Sequence, residues 1–283
     1  MRHALKVNMA KIWGKSKKII NPPGRESEQT CRILTYHSIH PHHPRGVRPS
    51  ELEKQVKFLV DNNYKIITFE ELLKMHQNPG CQQNEKLVIL TFDDGYEDNF
   101  TYGFPILKDY DLPATIFLAT RYIKKNNGFI SKADGILYKN LEMLTWKQVE
   151  KMAAQKIEFG SHTHRHLDSG KIDRGLFEKE IVISKGLIEK YLQKPVNIFC
   201  YPLGRKHPEG EIILKNNGFK IACTTFWGSF RIGRDNPFEV RRCEIVHEDS
   251  IEDFNLKVKG DWDYMEHVHF LKGQVKKIAA VFC

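Results

Sequence analysis

The sequence predicts an α/β domain in which a parallel sheet is flanked by helices, and three observations carry that prediction. Lys86–Phe92 and Ala114–Leu118 are nearly unbroken apolar runs, as expected of strands buried on both faces. The segments between such runs carry apolar residues at helical spacing instead. This alternation repeats over most of the 283 residues, and successive strand–helix–strand units make parallel neighbours. An open sheet and a barrel both fit; a barrel puts its chemistry where the strands end.

Residues 1–30 read as a basic leader and a linker that includes Asn21-Pro22-Pro23-Gly24, and the folded domain is expected over 31–283. Residues 32–36 are a short β-rich run, and the Pro-rich stretch over 40–49 is a loop. Ser50 is placed to cap a helix carrying Leu52, Val56, Leu59 and Val60. Residues 65–69 read as a second strand, followed by a short helix around Leu72 and Leu73. Beyond Lys86–Phe92, a helix with Phe104, Ile106 and Leu107 leads to Ala114–Leu118. A polar loop over 121–143 precedes a helix over 145–155 and a strand at 157–159. Residues 176–193 form a long helix, strands follow at 196–200 and 221–225, and Asp249-Ser250 starts a further helix.

The net charge of +9 admits an anionic partner. No zinc-finger, RNP-type or basic-zipper pattern turns that charge into base recognition, so nucleic acid is not expected. Much of the excess lies in Arg2, Lys6, Lys11, Lys15, Lys17 and Lys18, with no acid among the first twenty residues. Two readings fit this leader: a basic amphipathic helix on an anionic membrane surface, or a solvated, partly disordered tail. It has no continuous apolar core of the kind a secretory signal needs, and no segment approaches the roughly eighteen apolar residues of a membrane span. The expected location is therefore the cytoplasm, with peripheral contact at the inner membrane face through residues 1–20. Cys31, Cys81, Cys200, Cys223, Cys243 and Cys283 form no C-x-x-C pair and are expected as buried free thiols.

Polar groups gather where the strands end. Asp93 and Asp94 directly follow a buried strand, where two adjacent carboxylates resist desolvation unless a cation or hydrogen bonds compensate. A plain acidic helix cap is the structural alternative. After the strand at 157–159 come His162, His164 and His166, too many histidines in one place for packing to explain. His162 and His166 are four apart, so in a helical turn their rings share a face as metal ligands require. Two imidazoles with one carboxylate leave open positions for water and substrate, the arrangement of a catalytic metal. Tyr201-Pro202-Leu203-Gly204 forms a third strand-end turn, which by itself fits a purely structural role.

Thr91-Phe92-Asp93-Asp94-Gly95, His162-Thr163-x-x-His166 and Tyr201-Pro202-x-Gly204, in that order, resemble the motifs of the polysaccharide deacetylase family, also called the NodB-homology or carbohydrate esterase family 4 group. The similarity spans roughly residues 33–254 and includes Thr35-Tyr36-His37-Ser38 and Pro113-Ala114-Thr115-Ile116-Phe117. It implies a distorted (β/α) barrel, commonly of seven strands, over 31–283 with a C-terminal extension. It also implies a hydrolase that removes N-acetyl groups from an N-acetylhexosamine-containing polysaccharide or lipid-linked glycan. Asp94, His162 and His166 would hold one divalent cation, expected to be zinc, and Thr163 would steady the histidine loop. Asp93 would be the general base, Tyr201, Pro202 and Leu203 would line the substrate with a main-chain N–H near Leu203 for the oxyanion, and His37 would line the cleft. Many members carry an arginine in the third motif that orients the base; here Cys200 occupies that position, and Arg241 or Arg242 is the candidate replacement. The usual late histidine acid has His247 as its nearest counterpart. Trp227 and Phe230 are candidate sugar-stacking rings or core residues. A catalytically silent sugar-binding relative is the alternative, although such a protein has no need of Asp93.

Overall fold

The computed structural model describes residues 3–20, 29–79, 85–123, 130–131, 136–137 and 141–265. Most of the expected linker, with Cys81 and Cys283, lies outside them. The chain runs through α1 (His3–Ile20), β1 (Thr30–Tyr36), α2 (Pro49–Asp61), β2 (Tyr64–Ile66), α3 (Phe69–Gln77) and β3 (Lys86–Phe92). It continues with α4 (Phe104–Asp109), β4 (Ala114–Leu118), the paired β5 (Ile130–Ser131) and β6 (Ile136–Leu137), α5 (Trp146–Ala153) and β7 (Ile157–Ser161). Then follow α6 (Arg174–Leu192), β8 (Ile198–Cys200), α7 (Gly210–Asn216), β9 (Ile221–Cys223), β10 (Phe230–Arg231), β11 (Cys243–Glu244) and α8 (Ile251–Val258).

Seven strands run parallel in the order β11-β1-β3-β4-β7-β8-β9 and curl into a (β/α) barrel. The far edge returns towards the near one through Val240, which bridges Cys223 in parallel just before β11. The barrel is distorted because two positions are split between strands. One edge of β3 takes β2 at its start and β4 at its end, while one edge of β1 takes antiparallel β10 at its start and β11 at its end.

Alternation along the strands builds two apolar layers. Ile33, Leu87, Ile89, Phe117, Ile198, Cys200, Ile221 and Cys223 fill the interior. Leu34, Val88, Leu90, Ile116, Phe159 and Phe199 face the outer helices. Both faces are thus buried, which is why the strands read as continuous apolar runs. Phe69 and Leu72 of α3 close the end of the barrel where the strands begin.

Several boundaries differ from the sequence reading: β8 starts at Ile198 rather than 196, β9 ends at Cys223 rather than 225, and two others have a clear local cause. Helix α2 begins at Pro49, whose missing N–H suits a first helical turn, so Arg48 rather than Ser50 is the N-cap. Strand β2 stops at Ile66 because Thr68 and Glu71 form a capping box that starts α3. The leader is helical: Val7, Met9, Ala10 and Trp13 of α1 pack on Trp262, Tyr264 and Met265. Lys11 pairs with Glu252 at 2.8 Å, and the Tyr264 hydroxyl donates to the Lys6 carbonyl at 2.8 Å. Among the described residues no helix is long and apolar enough to cross a membrane. Cys31, Cys200, Cys223 and Cys243 are buried free thiols, as expected.

Candidate active site

The site is built from turns at the ends of β3, β7, β8 and β9. The Asp93 N–H donates to the Tyr36 carbonyl at 2.9 Å, extending the β1–β3 ladder one residue and keeping Asp93 on the inward side with Ile89 and Thr91. Its neighbour would normally face outward. Asp94 instead takes a left-handed φ of 77°, followed by Gly95 at 85°, and this kink brings both carboxylates to the mouth of the barrel. A side chain at position 95 would also meet Leu118 Cδ2 at 2.9 Å.

The His162 N–H extends the next ladder, donating to the Leu118 carbonyl at 3.0 Å. Beyond it the chain is not the helical turn that the four-residue spacing suggests. Thr163 and His166 are left-handed, with φ of 61° and 55°, and the Thr163 hydroxyl accepts the His166 N–H at 3.0 Å. Through this loop the two imidazoles meet with ring centroids 4.8 Å apart. Their Nε2 atoms lie 3.5 Å (His162) and 3.3 Å (His166) from the same Asp94 oxygen. His164 points away and meets the Thr120 hydroxyl at 3.0 Å.

This set fits a divalent cation. His162 Nδ1 lies 2.8 Å from the Cys200 carbonyl, which can only accept, so Nδ1 carries the hydrogen and Nε2 keeps its lone pair for ligation. Burial, and next the neighbouring His166, lower His162 to about 4, so the ring is neutral at neutral pH. Burial raises Asp94, which a cation at that point would compensate. Asp93, His162 and Cys200 also approach one another closely. A second cation there is excluded by the Arg242 guanidinium, which already occupies both Asp93 and Cys200.

Arg242, 2% exposed, grips Asp93 with two parallel bonds, Nη1 to Oδ1 at 2.8 Å and Nη2 to Oδ2 at 2.7 Å. Its Nε donates to the Thr224 carbonyl at 2.8 Å, and Nη2 lies 3.0 Å from Cys200 Sγ. The small thiol on β8 leaves the space that this arginine fills from the segment entering β11. Burial would raise the Asp93 carboxyl, but the guanidinium outweighs it and holds the group well below the ordinary carboxylate range.

Other expected residues fare differently. His37 directly follows β1, beside the ladder that carries Asp93, and its carbonyl accepts from Asn99 Nδ2 at 2.8 Å. Burial alone would lower His37; Asp94, Asp93 and Glu244 outweigh it and raise the ring. His247 sits exposed on the loop after β11, its Nε2 3.9 Å from Glu248, and is not brought into the cluster. The Tyr201 ring is fully buried among Phe177 and Phe199, because alternation from inward-facing Cys200 turns it to the outer layer. Pro202, in the turn that follows, is buried too. Leu203 is half-buried with φ of 58° at the turn itself. Phe230 belongs to the barrel interior, and Trp227 packs against Trp262 and Lys257.

Sequence reasoning misses Phe226 and Asp98. Phe226 is 51% exposed on the loop after β9, and its carbonyl accepts the Arg242 N–H at 2.8 Å. Buried Asp98 accepts from the Ser38 hydroxyl and from the Ile39 N–H at 3.1 Å, holding the turn that carries His37. The acidic run Glu97-Asp98 soon after Asp94 is its only sequence signal.

A family profile described as polysaccharide deacetylase matches residues 80–222. YxkH, a Bacillus subtilis protein assigned by name to the polysaccharide deacetylases, is 33% identical over 196 residues, covering 68% of this chain. The chain spans 63% of the length of YxkH. A poly-beta-1,6-N-acetyl-D-glucosamine N-deacetylase of Staphylococcus aureus is 30% identical over 225 residues, 72% of this chain and 73% of that protein. Among solved structures, the Streptococcus pyogenes deacetylase PplD in complex with acetate is similar with a TM-score of 0.71 at 25% identity, over 82% of this chain and 99% of that one.

Proposed function

Because the chain belongs to the polysaccharide deacetylase family, we propose that it is a metal-dependent hydrolase removing N-acetyl groups from an N-acetylhexosamine-containing glycan. The observation that carries this reading is the convergence of Asp94, His162 and His166 on one point, directly beside an arginine-held Asp93.

Asp94, His162 and His166 hold the cation. When bound, a divalent ion, zinc for a site of two imidazoles and one carboxylate, supplies Lewis acidity to water and to the amide carbonyl. Asp93 accepts the proton that the attacking water gives up. Arg242 fixes both of its oxygens and keeps it ionised, so Asp93 is a weak acceptor that is always available. The main-chain N–H of Leu203 hydrogen-bonds the oxygen on which charge develops, and Thr163 holds the histidine loop. In place of exposed His247, the acid role falls to His37, which follows β1 beside the ladder that carries Asp93. It donates to the departing nitrogen as the C–N bond breaks, leaving acetate and an amino sugar.

The Staphylococcus aureus relative acts, by its name, on a polymer of β-1,6-linked N-acetylglucosamine, which makes such oligomers the first substrates to assay and lipid-linked N-acetylhexosamines the second. Acetate release is measured with and without chelator, beside Asp93→Asn. Chelation should abolish release, and the variant should lose about 10²–10⁴-fold, the usual worth of a general base. Absence of chelator-sensitive release from every substrate would sink the reading.

A further inference from the structure

The histidine loop has a shape that its backbone does not favour. Thr163 and His166 are left-handed at φ of 61° and 55°, a conformation unusual for any side chain and costliest for a β-branched one. Residues of this kind are strained and persist only where the surroundings over-determine them. Much of that restraint comes from α6. Glu180, 1% exposed, takes two bonds from the single residue Arg165: the main-chain N–H reaches Oε2 at 2.6 Å and Nε reaches Oε1 at 2.6 Å. One turn further along, Ser184 accepts from the Ser161 hydroxyl at 2.9 Å, at the last residue of β7. The rest of this buried face is apolar, with Phe177, Ile181 and Ile188, where a carboxylate is costly unless it is paired and bonded. Packing alone gives no reason for a glutamate there.

We infer that Glu180 is a positioning residue of the metal centre. By gripping the backbone between His162 and His166 it fixes the direction of the His166 ring and so sets the affinity for the divalent cation. It touches neither substrate nor cation. This rests on the metal-dependent reading above.

Titration of Zn²⁺ into the metal-free full chain, followed by calorimetry, tests it, with apoprotein Tm and kcat at saturating Zn²⁺ measured alongside. Glu180→Ala should weaken Zn²⁺ binding by about 10- to 100-fold, the usual effect of removing a partner that orients a ligand. Its kcat at saturating Zn²⁺ should stay within about threefold of wild type, because the reacting groups are untouched. Glu180→Gln, which keeps an acceptor for the Arg165 N–H, should lose less, and Arg165→Ala, which keeps the main-chain bond, should also lose less. A lowered Tm with wild-type Zn²⁺ affinity would show a merely structural role and overturn the inference. If Glu180→Ala does not fold, unchanged affinity in both Glu180→Gln and Arg165→Ala overturns it equally. A wild-type chain that binds no Zn²⁺ is a separate result: it removes the metal reading itself, and this inference with it.

Discussion

Two carboxylates face the interior of this barrel at opposite ends, and their partners make them different groups. Asp93, where β3 finishes, is held by the guanidinium of Arg242. Glu158, near the start of β7, is held by neutral donors. Its Oε2 accepts the Phe69 N–H and the Thr115 hydroxyl, each at 2.9 Å, and its Oε1 accepts the Glu70 N–H at 3.3 Å. Burial raises Glu158, and these bonds soften the effect without cancelling it. Burial acts on Asp93 in the same sense, but a full positive charge reverses the outcome. Neutral donors make a buried carboxylate a tether for the first turn of α3; a cation keeps one ionised, as the base role proposed for Asp93 requires.

The comparison is tested most severely by removing the cation. Arg242→Met should leave Asp93 buried and uncompensated, and breaking a buried pair from one side costs about 3–5 kcal/mol. Deacetylation should fall by at least about 10²-fold, since the base loses both its orientation and its charge state. The double variant Asp93→Asn with Arg242→Met should regain part of the stability and none of the activity, because no lone charge is then left inside. Urea unfolding and acetate release read the two effects separately. Arg242→Met with wild-type stability and rate would dissolve the distinction between the two ends.

The next effect concerns which histidine serves the cationic end. His37→Gln should cost about 10²-fold in kcat, within the range of a lost general acid. His247→Ala should stay within about twofold, as expected of an exposed side chain away from the chemistry. Rates on a substrate with a more acidic leaving nitrogen sharpen the assignment, because a missing proton donor then matters less. An equal loss for both substrates would speak against His37 as the donor.

Much of the candidate-site end is legible in the sequence, for local reasons. Strands buried on both faces leave apolar runs, so Lys86–Phe92 and Ala114–Leu118 are readable to the residue. Carboxylates and histidines just beyond such runs stand out because burial needs a compensating ion. What is not legible depends on pairing at long range. Strand β11 is two residues long and exists only because Leu34 and Thr35 lie opposite it, so nothing local separates inward Arg242 from outward Arg241. The spacing of His162 and His166 picks out the two rings that the structure brings together, but left-handed residues rather than a helical turn do so. The direction of the Tyr201 ring is not legible locally either, because it follows from Cys200 facing inward. The start of α3 is different: Thr68 and Glu71 carry a capping-box pattern that a strand reading over 65–69 overlooks.

The smallest effect lies at the tethering end and distinguishes the two groups by the sign of their pH dependence. Glu158→Gln should leave kcat unchanged and cost about 1–3 kcal/mol in stability, because an amide offers one acceptor oxygen where the carboxyl group has two. The folded pKa of Glu158 lies above the ordinary 4.5, so the folded protein holds a proton that the unfolded chain releases. Its contribution is complete below 4.5 and is lost as pH rises through the folded value. The stability advantage of wild type over Glu158→Gln should therefore narrow as pH climbs from 4.5. Asp93 is lowered, so its contribution is complete above the ordinary 3.8 and is lost as pH falls through the folded value. The advantage of wild type over Asp93→Asn should shrink only on the acid side. Thermal unfolding of the metal-free chain and both variants across this range reads the two slopes. Slopes of the same sign would mean that Arg242 does not separate the two carboxylates, and that burial alone governs both.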